Sequence, residues 1–257
     1  FKLKNKFTIL GCGSSLGAPW ITNYWGSCKN KKKNLRTRCA AHFNYKDISI
    51  LIDTSPDIKN QFLNNKIKDV DTVLYTHAHS DQISGIFELR PFFWKNKNKI
   101  DVYGSRKTIN ELKIKYDYCF KPKFGYTPIL KSNIIKKRFT VRKKSHSIKI
   151  NTFEAQHGLI KSTVYIFNKI AYLSDCNHIP DRYIKDLTNL DYVILDCLRK
   201  KPHLSHFNYD QAVALAKKLG AKKTILTNLH VDLDYYELKK KLPNNIVPAY
   251  DGLNFNF

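Results

Sequence analysis

The chain is predicted to form one layered α/β domain with mixed sheets, spanning residues 1–257. Short apolar runs that are typical of buried strands alternate with amphipathic helical patterns, which is the order of elements in α/β folds. A hairpin early in the chain adds antiparallel pairing to the expected parallel pairing. Because no glycine- or serine-rich linker and no internal repeat interrupts the sequence, we expect no separable second domain.

The elements of the first third follow in a simple order. FTIL, residues 7–10, is predicted as a strand, and the GCGSSLGAP segment after it as a loop. CAAHFNY and ISILIDT flank the polar pair Lys46-Asp47 and are predicted to form the hairpin. A helix opens within TSPDIKNQFLNN, with Thr54 or Ser55 as its N-cap and a proline early in its first turn. DTVLYT, residues 71–76, is then a buried strand.

The rest of the chain continues the alternation of strands and helices. A helix is predicted over residues 105–116, among several short strands between residues 100 and 175 that end with AYLSD. DYVILDC and KTILTN are predicted as strands. NYDQAVALAKKLG between them is an amphipathic helix that Gly220 stops, and DYYELKKKL is a last helix.

Composition restricts the class of protein. A hydrophobic content of 42% is sufficient for a sizeable core, and no apolar tract is long enough to cross a membrane. The six cysteines contain no C-x-x-C pair, so neither a zinc knuckle nor a disulfide framework is indicated. The first apolar run, FTIL, is shorter than the core of a signal peptide, and we therefore expect a cytoplasmic protein. The oligomeric state is left open.

The formal net charge of +24 raises the question of nucleic-acid binding. Most of the cations are lysines, and they recur through the whole chain beside asparagine and isoleucine, as in KNKNKI and NNKIKD. Single-strand binders instead combine clustered cations with exposed aromatic residues. We therefore interpret the lysines as solvated surface residues, and expect no specific nucleic-acid partner and no membrane partner.

The segment THAHSDQ directly follows a predicted buried strand. Alternate residues of an extended segment point the same way, so His77 and His79 can converge on one point. Imidazole pairs suit zinc and its neighbours in the divalent series, and the carboxylate of Asp81 suits a second, harder ion close by. A lone histidine is most often structural, but two histidines and an aspartate in alternation favour a metal site.

THAHSDQ resembles the T-H-x-H-x-D-H signature of the metallo-β-lactamase superfamily, and other segments follow in that family's order. These are ILIDTSPD, EAQHG, YLSDC and ILTNLHVDLDY. Within the superfamily, LGCGSSLGAP, RTRC, GIFELRP and KPHLSHF resemble the branch of small phosphodiesterases that includes phosphoribosyl 1,2-cyclic phosphate phosphodiesterase. The resemblance implies a four-layer αββα sandwich with mixed sheets.

The same resemblance implies a set of metal ligands. His77, His79 and His157 match the three histidines of the first metal, and Asp175 matches the carboxylate that bridges to the second. Asp81 matches a second-site ligand and is also predicted to be catalytic. Asp53 is expected to support the histidine loop.

Two positions depart from the family pattern, and both belong to the second metal. Gln82 stands where the signature has histidine, and Asn228 stands where the usual LTH segment would supply another. Two amides in place of two imidazoles favour Mn²⁺ or Mg²⁺ over Zn²⁺ at the second site, or weaken its occupancy, while zinc is expected at the first. His230 is either a replacement ligand for this second metal or a surface or supporting histidine.

Further residues are candidates for contact with substrate. His206 matches the branch's proton donor to the leaving oxygen, although a polar residue before a helix is the plain alternative. His203 is predicted as its neighbour in the pocket. Arg36 and Arg38 either bind a phosphate or cover a surface strand, and the sequence does not decide between these roles.

These features predict a metal-dependent phosphodiesterase that hydrolyses a small cyclic or nucleotide-like phosphodiester with metal-activated water. One alternative is a nuclease of the ribonuclease Z kind, which would need a protruding RNA-binding arm that is not evident in the sequence. Another is a non-catalytic nucleotide-binding protein whose second metal site has degenerated.

Overall fold

The computed structural model describes residues 5–29, 32–123 and 125–257. Its strands are β1 (Lys6–Gly11), β2 (Ala40–Tyr45), β3 (Ile48–Ile52), β4 (Thr72–Leu74), β5 (Ile100–Gly104), β6 (Leu130–Ile134), β7 (Arg138–Lys143), β8 (His146–His157), β9 (Ile160–Phe167), β10 (Ile170–Leu173), β11 (Tyr192–Asp196), β12 (Lys223–Thr227), β13 (Ile246–Pro248) and β14 (Asn254–Asn256). Its helices are α1 (Ile58–Asn65), α2 (Ser80–Ile83), α3 (Arg90–Asn96), α4 (Arg106–Lys115), α5 (Asp117–Phe120), α6 (Ile184–Leu187), α7 (Tyr209–Leu219) and α8 (Tyr235–Lys241).

The strands form two seven-stranded mixed sheets. The first has the order β14-β1-β2-β3-β4-β5-β6, and the second has the order β13-β12-β11-β10-β9-β8-β7. In the first sheet the hairpin strands β1 to β3 are antiparallel, whereas β3 to β6 run parallel. The second sheet is antiparallel from β7 to β10 and parallel from β10 to β13. The predicted mixed sheets are therefore confirmed.

Three apolar layers hold the sheets and helices together. Between the sheets, the rings of Phe43 and Phe167 lie 4.2 Å apart at their centroids. On strand β11, Ile194 faces this inner layer, whereas Val193 and Leu195 pack on the outer side with Ala212 of α7. A third cluster joins the first sheet to α1 and α4. This alternation of side chains buries both faces of each sheet and produces the αββα sandwich that the family resemblance implied.

Local signals predicted two helix ends, the stop of α7 at Gly220 and the N-cap of α1. Asn208 caps α7 with a reciprocal bond to Gln211, and Gly220 ends the helix in the left-handed conformation. The predicted N-cap of α1 was wrong, because the helix begins at Ile58. The Thr54 hydroxyl contacts the Tyr75 hydroxyl instead, at 3.0 Å.

The carboxyl ends of strands from both sheets meet at one edge of the sandwich. Strands β4, β10, β11 and β12 all end there, and the antiparallel pair β8–β9 turns there, directly after His157. Polar residues that follow a strand end are therefore brought together from distant parts of the sequence. Among the described residues, no helix is both long enough and apolar enough to cross a bilayer.

Candidate active site

The histidine loop after β4 is held by Asp53, at the end of β3. The backbone N–H and the hydroxyl of Thr76 donate to the two carboxylate oxygens of Asp53, both at 2.8 Å. The Thr76 oxygen lies 3.0 Å from Nδ1 of His77. Because the hydroxyl gives its proton to Asp53, its oxygen accepts from Nδ1–H of His77, and Nε2 of His77 keeps a free lone pair.

Three histidines form a compact cluster. The ring centroids of His77, His79 and His157 lie 4.6 to 5.1 Å apart. Nδ1 of His157 donates to the carbonyl oxygen of Ser205 at 2.7 Å, so the lone pair of this ring is on Nε2. That Nε2 lies 3.3 Å from Nδ1 of His79. The cluster therefore unites residues from two sheets around one point.

The cluster fits a divalent metal ion. Nε2 of His77 is buried without a hydrogen-bond partner, which is costly unless another group binds it. One ligand atom from each of the three histidines lies within 4.8 Å of the others. Burial lowers the pKa of His77 to about 3 and also lowers that of His157, so both rings are neutral at pH 7. Neutral imidazole is the form that binds metals.

Asp175 lies beside this cluster, just after β10. Its carboxylate groups with His157 and His206 in a second potential ligand set among the described residues. Burial opposes ionisation of Asp175, but in the acid range, where the carboxyl group titrates, the positive charges of the protonated forms of His77, His206 and His157 outweigh it, so its pKa lies below the usual value. Asp175 is therefore an anion beside the histidines, as a metal ligand must be.

The two amides that depart from the family pattern both contact Asp175. Nε2 of Gln82 lies 3.3 Å from Oδ2 of Asp175 and 3.3 Å from Oδ2 of Asp81. Nδ2 of Asn228 lies 3.3 Å from Oδ1 of Asp175. Burial and the charge of Asp175 raise the pKa of Asp81. The structure thus assembles the predicted second-site residues around one buried carboxylate.

His206 forms a pair with Asp196, a residue that the sequence analysis missed. Nδ1 of His206 lies 2.7 Å from Oδ2 of the fully buried Asp196. Although burial opposes it, this carboxylate raises the pKa of His206 to about 9. Burial raises that of Asp196 to about 7. The paired carboxylate therefore favours the protonated form of His206. The sequence did contain a signal for Asp196. It is an aspartate at the carboxyl end of the strand VILD, and the neighbouring parallel strands end beside Asp175 and Asn228.

A cavity of about 270 Å³ opens over these groups. It is lined by Ser14, Ser15, Leu16, His79, Asp81, His157, Asp175, Leu198, Arg199, His203, Ser205, His206, Asn228 and His230. The predicted His203 is among them, with its ring centroid 5.1 Å from that of His206. On the other side of the histidines lies a second cleft of about 320 Å³, and His79 lines both spaces.

His230 does not take the position of a replacement ligand. Its Nδ1 lies 2.8 Å from Oδ1 of Asp232, and its ring packs edge-on against Trp20. Among the described residues, neither potential ligand set includes it. The geometry therefore favours the alternative role, that of a histidine in the cavity wall.

Arg36 takes neither of the two roles that the sequence left open, a phosphate ligand or a residue covering a surface strand. The side chain is almost fully buried, and its guanidinium donates to the carbonyl oxygens of Leu233 at 2.6 Å and His230 at 3.1 Å. It also donates to the side-chain oxygen of Asn34 at 2.8 Å. Arg38 is partly exposed, and its Nε lies 2.9 Å from Oδ2 of Asp57. Neither arginine is among the described residues that line the cavity.

We expect Arg36→Lys to lower the free energy of unfolding by about 2–4 kcal/mol, since lysine cannot reach all the buried carbonyls that the guanidinium fork satisfies. The KM for a small phosphodiester should not change. Arg38→Lys is the matched control, and weakening its partly exposed ion pair should lower the free energy of unfolding by less than about 1 kcal/mol. Denaturant unfolding and steady-state kinetics measure both effects. If Arg36→Lys raised the KM without changing the free energy of unfolding, Arg36 would be a phosphate ligand after all.

The fold is shared with several proteins of known structure. A diphosphatase from the PhnP family is 32% identical, with a TM-score of 0.90 over 99% of this chain and 97% of its own. Zn²⁺-bound PqqB from Methylobacterium extorquens, at 14% identity, has a TM-score of 0.78 over 98% of this chain and 100% of its own. Human tRNase Z, short form, at 16% identity, has a TM-score of 0.68 over 97% of this chain and 98% of its own.

A curated relative is similar over nearly the whole chain. An octanoyltransferase of Porphyromonas gingivalis is 28% identical over 251 residues, which are 95% of this chain and 50% of that protein. The chain thus spans half the length of this relative. Residues 49–228, most of the chain, match the family model of the β-lactamase superfamily domain. Together with the two sheets and the three-histidine cluster, this match shows that the chain belongs to the β-lactamase superfamily and has the metallo-β-lactamase fold.

Proposed function

We propose that the protein is a metal-dependent hydrolase of small phosphodiesters. One observation carries the proposal: His79 and His157 of the three-histidine cluster line the same cavity of about 270 Å³ as His206, which is paired with Asp196. The first group suits an ion that binds a phosphoryl oxygen, and the second suits the proton that a leaving alkoxide needs. A cavity of this size lies just below the lower limit of about 300 Å³ for drug-sized ligands, which suits a small substrate.

His77, His79, His157 and Asp175 are the residues that would hold the ion. When bound, a divalent ion supplies Lewis acidity to a phosphoryl oxygen and makes water a better nucleophile. Hydrogen bonds from neighbouring residues hold these ligands in position. Asp53 orients His77 through the Thr76 hydroxyl, and the Ser205 carbonyl fixes the tautomer of His157. Zinc is the ion that we expect there, since three imidazoles favour it.

His206 would give its proton to the leaving oxygen. Asp196 accepts from Nδ1–H at 2.7 Å, so the second N–H of the ring, on Nε2, is the one available for transfer. Asp196 is itself held in position, because its Oδ2 also accepts from the backbone N–H of Cys176 at 2.8 Å. The proton donor is therefore oriented before substrate binds.

The two spaces beside the histidines fit the two halves of a diester. The leaving half would lie on the side of His206 and His203, and the retained half would lie in the cleft lined by Ser105, Lys107 and Thr108. A second candidate is a diphosphate, the class named for the similar PhnP-family diphosphatase. Both substrates place a phosphoryl centre between two substituents, so the same geometry serves either.

Hydrolysis assays with Zn²⁺, Mn²⁺ or Mg²⁺ test the proposal. We expect turnover of bis(p-nitrophenyl) phosphate and of a small cyclic phosphodiester, and only weak, steeply salt-sensitive binding of tRNA. Faster hydrolysis of a dinucleoside diphosphate than of either diester would favour the second candidate. Efficient cleavage of a precursor tRNA at physiological salt, without activity on small substrates, would identify a nuclease. No turnover with any ion would leave a non-catalytic binding protein.

A further inference from the structure

A tight turn after β1 forms part of the wall of the cavity. Ser14, Ser15 and Leu16 all line this space. The N–H of Gly17 donates to the carbonyl oxygen of Ser14 at 2.8 Å and closes the turn. Gly17 has a φ of +67°, and a Cβ atom there would lie 2.9 Å from the carbonyl oxygen of Arg36. Only glycine therefore allows the turn to pack this closely on the neighbouring segment.

Backbone hydrogen bonds fix this turn at both ends. The N–H of Gly13 donates to the carbonyl oxygen of Thr37, and the N–H of Ala18 donates to that of Arg36, both at 2.8 Å. Gly13 also forms a bridge with Leu229, in the segment that follows β12. The shape of this wall is thus set before a ligand binds, which lowers the entropic cost of binding.

The turn carries three hydrogen-bond donors that the protein does not use. Ser14 is only 3% exposed, and its hydroxyl is buried without a partner among the described residues. A buried hydroxyl left unpaired costs about 1–3 kcal/mol. The backbone N–H groups of Ser15 and Leu16 also have no acceptor in the described part of the chain. Since successive N–H groups of a turn can bind anions, these consecutive donors suit an anionic ligand in the cavity.

The same cavity contains a cation. Arg199 lines it, and the guanidinium donates to the carbonyl oxygens of Pro202 at 2.8 Å and Lys201 at 3.3 Å. Both acceptors are neutral, so they leave the positive charge uncompensated. Burial is the main cause of the lowered pKa of His203, and the positive charges of His206 and Arg199 contribute. The charge of Arg199 therefore acts on the side of the cavity where the leaving half would lie.

The charges elsewhere around the histidines are compensated. The carboxylates among the described residues of the cavity wall are Asp81 and Asp175, and the Gln82 amide contacts both beside the three-histidine cluster. The cleft on the other side of the histidines is lined by two lysines and two glutamates, whose charges cancel. An uncompensated cation beside unused donors thus distinguishes the leaving side.

We propose that the Ser14 hydroxyl, the N–H groups of Ser15 and Leu16, and Arg199 bind a phosphate group on the leaving half of the substrate. This rests on the proposed function and narrows its substrate class: the leaving half is a phosphate, as in a diphosphate, or an alcohol that carries one. Charge-assisted hydrogen bonds from these donors suit the anionic oxygens of phosphate. In either case water adds its oxygen to the attacked phosphorus, and the leaving half departs with the bridging oxygen and its electron pair.

Binding of inorganic phosphate tests this subsite without any turnover. Zn²⁺-loaded protein is titrated with inorganic phosphate, and the heat of binding is measured by calorimetry. We expect Ser14→Ala and Arg199→Gln each to weaken binding about tenfold or more, because each removes a hydrogen bond to a charged group. Lys200→Gln is the matched control, since Lys200 follows Arg199 but is exposed outside the cavity, and it should bind phosphate like the unchanged protein. Equal binding by all variants would place phosphate on the metal alone and overturn the proposal.

Denaturant unfolding separates a ligand-binding role of Ser14 from a structural one. Its hydroxyl has no partner within the described protein, so Ser14→Ala should not lower the free energy of unfolding. A clear loss of stability in this variant, with phosphate binding unchanged in Arg199→Gln, would contradict the subsite.

Three esters of one nucleoside 5′-phosphate identify the source of the bound phosphate. Their leaving halves are methanol, 2-hydroxyethyl phosphate and methyl phosphate. We expect the two phosphate-bearing esters to have a kcat/KM about tenfold or more above that of the methyl ester, and Ser14→Ala to remove this advantage through KM. The ester that loses most in Ser14→Ala shows whether the phosphate is the leaving group or is carried by an alcohol. A preference for the methyl ester would overturn the proposal, whereas Ser14-dependent phosphate binding without turnover of any ester would keep the subsite and remove the proposed function.

Discussion

Replacing His206 with alanine is expected to lower turnover of an alkyl phosphodiester by about 10²–10⁴-fold, the range for loss of a general acid. The reason is that the alkoxide must leave with a proton, and the protonated His206 is held beside the three histidines by Asp196. Steady-state kinetics measure the loss, and elemental analysis should show unchanged metal content.

The choice of leaving group in the assay distinguishes a proton donor from a structural residue. p-Nitrophenolate leaves without a proton, so His206→Ala should reduce hydrolysis of a p-nitrophenyl diester far less than that of an alkyl diester. Asp196→Asn should show the same selectivity, because its role is to orient the ring. His203→Ala, in the same cavity wall, is the control and should affect the two substrates alike. An equal loss on both substrates in His206→Ala would indicate a binding or folding role.

Replacing His79 with alanine is expected to remove the tightly bound ion and to reduce turnover by on the order of 10³-fold or more, because the ion supplies several kcal/mol of transition-state stabilisation. His79 is the exposed member of the cluster, so its loss should not unfold the protein. Elemental analysis after dialysis measures metal content, and thermal unfolding verifies the fold.

His146→Ala provides the comparison for this prediction. His146 is also a partly exposed histidine, but it pairs with Asp47 at 2.6 Å and is outside both potential ligand sets of the described residues. Its replacement should leave metal content and turnover unchanged. If His79→Ala retained its ion after dialysis, the three-histidine cluster would not be the primary metal site.

Features that depend only on neighbouring residues could be predicted from the sequence. The alternation of His77 and His79 after a buried strand and the stop at Gly220 depend on neighbouring residues, and both are visible in the printed chain. The alternation of strands and helices likewise predicted the mixed sheets. Backbone geometry and side-chain periodicity act over a few residues, so they can be recognised without the fold.

Other features were decided only by tertiary structure. Asp196 became the partner of His206 because parallel strands β10, β11 and β12 bring their carboxyl ends together. The sequence did not decide the role of Arg36, whereas in the fold the 229–233 loop surrounds its guanidinium with carbonyl oxygens from residues almost 200 positions away. Sequence could locate Gln82 and Asn228, but not which atom of each amide faces Asp175. Such roles depend on hydrogen-bond partners from distant segments, and burial makes each unpaired donor or acceptor costly enough to select one arrangement.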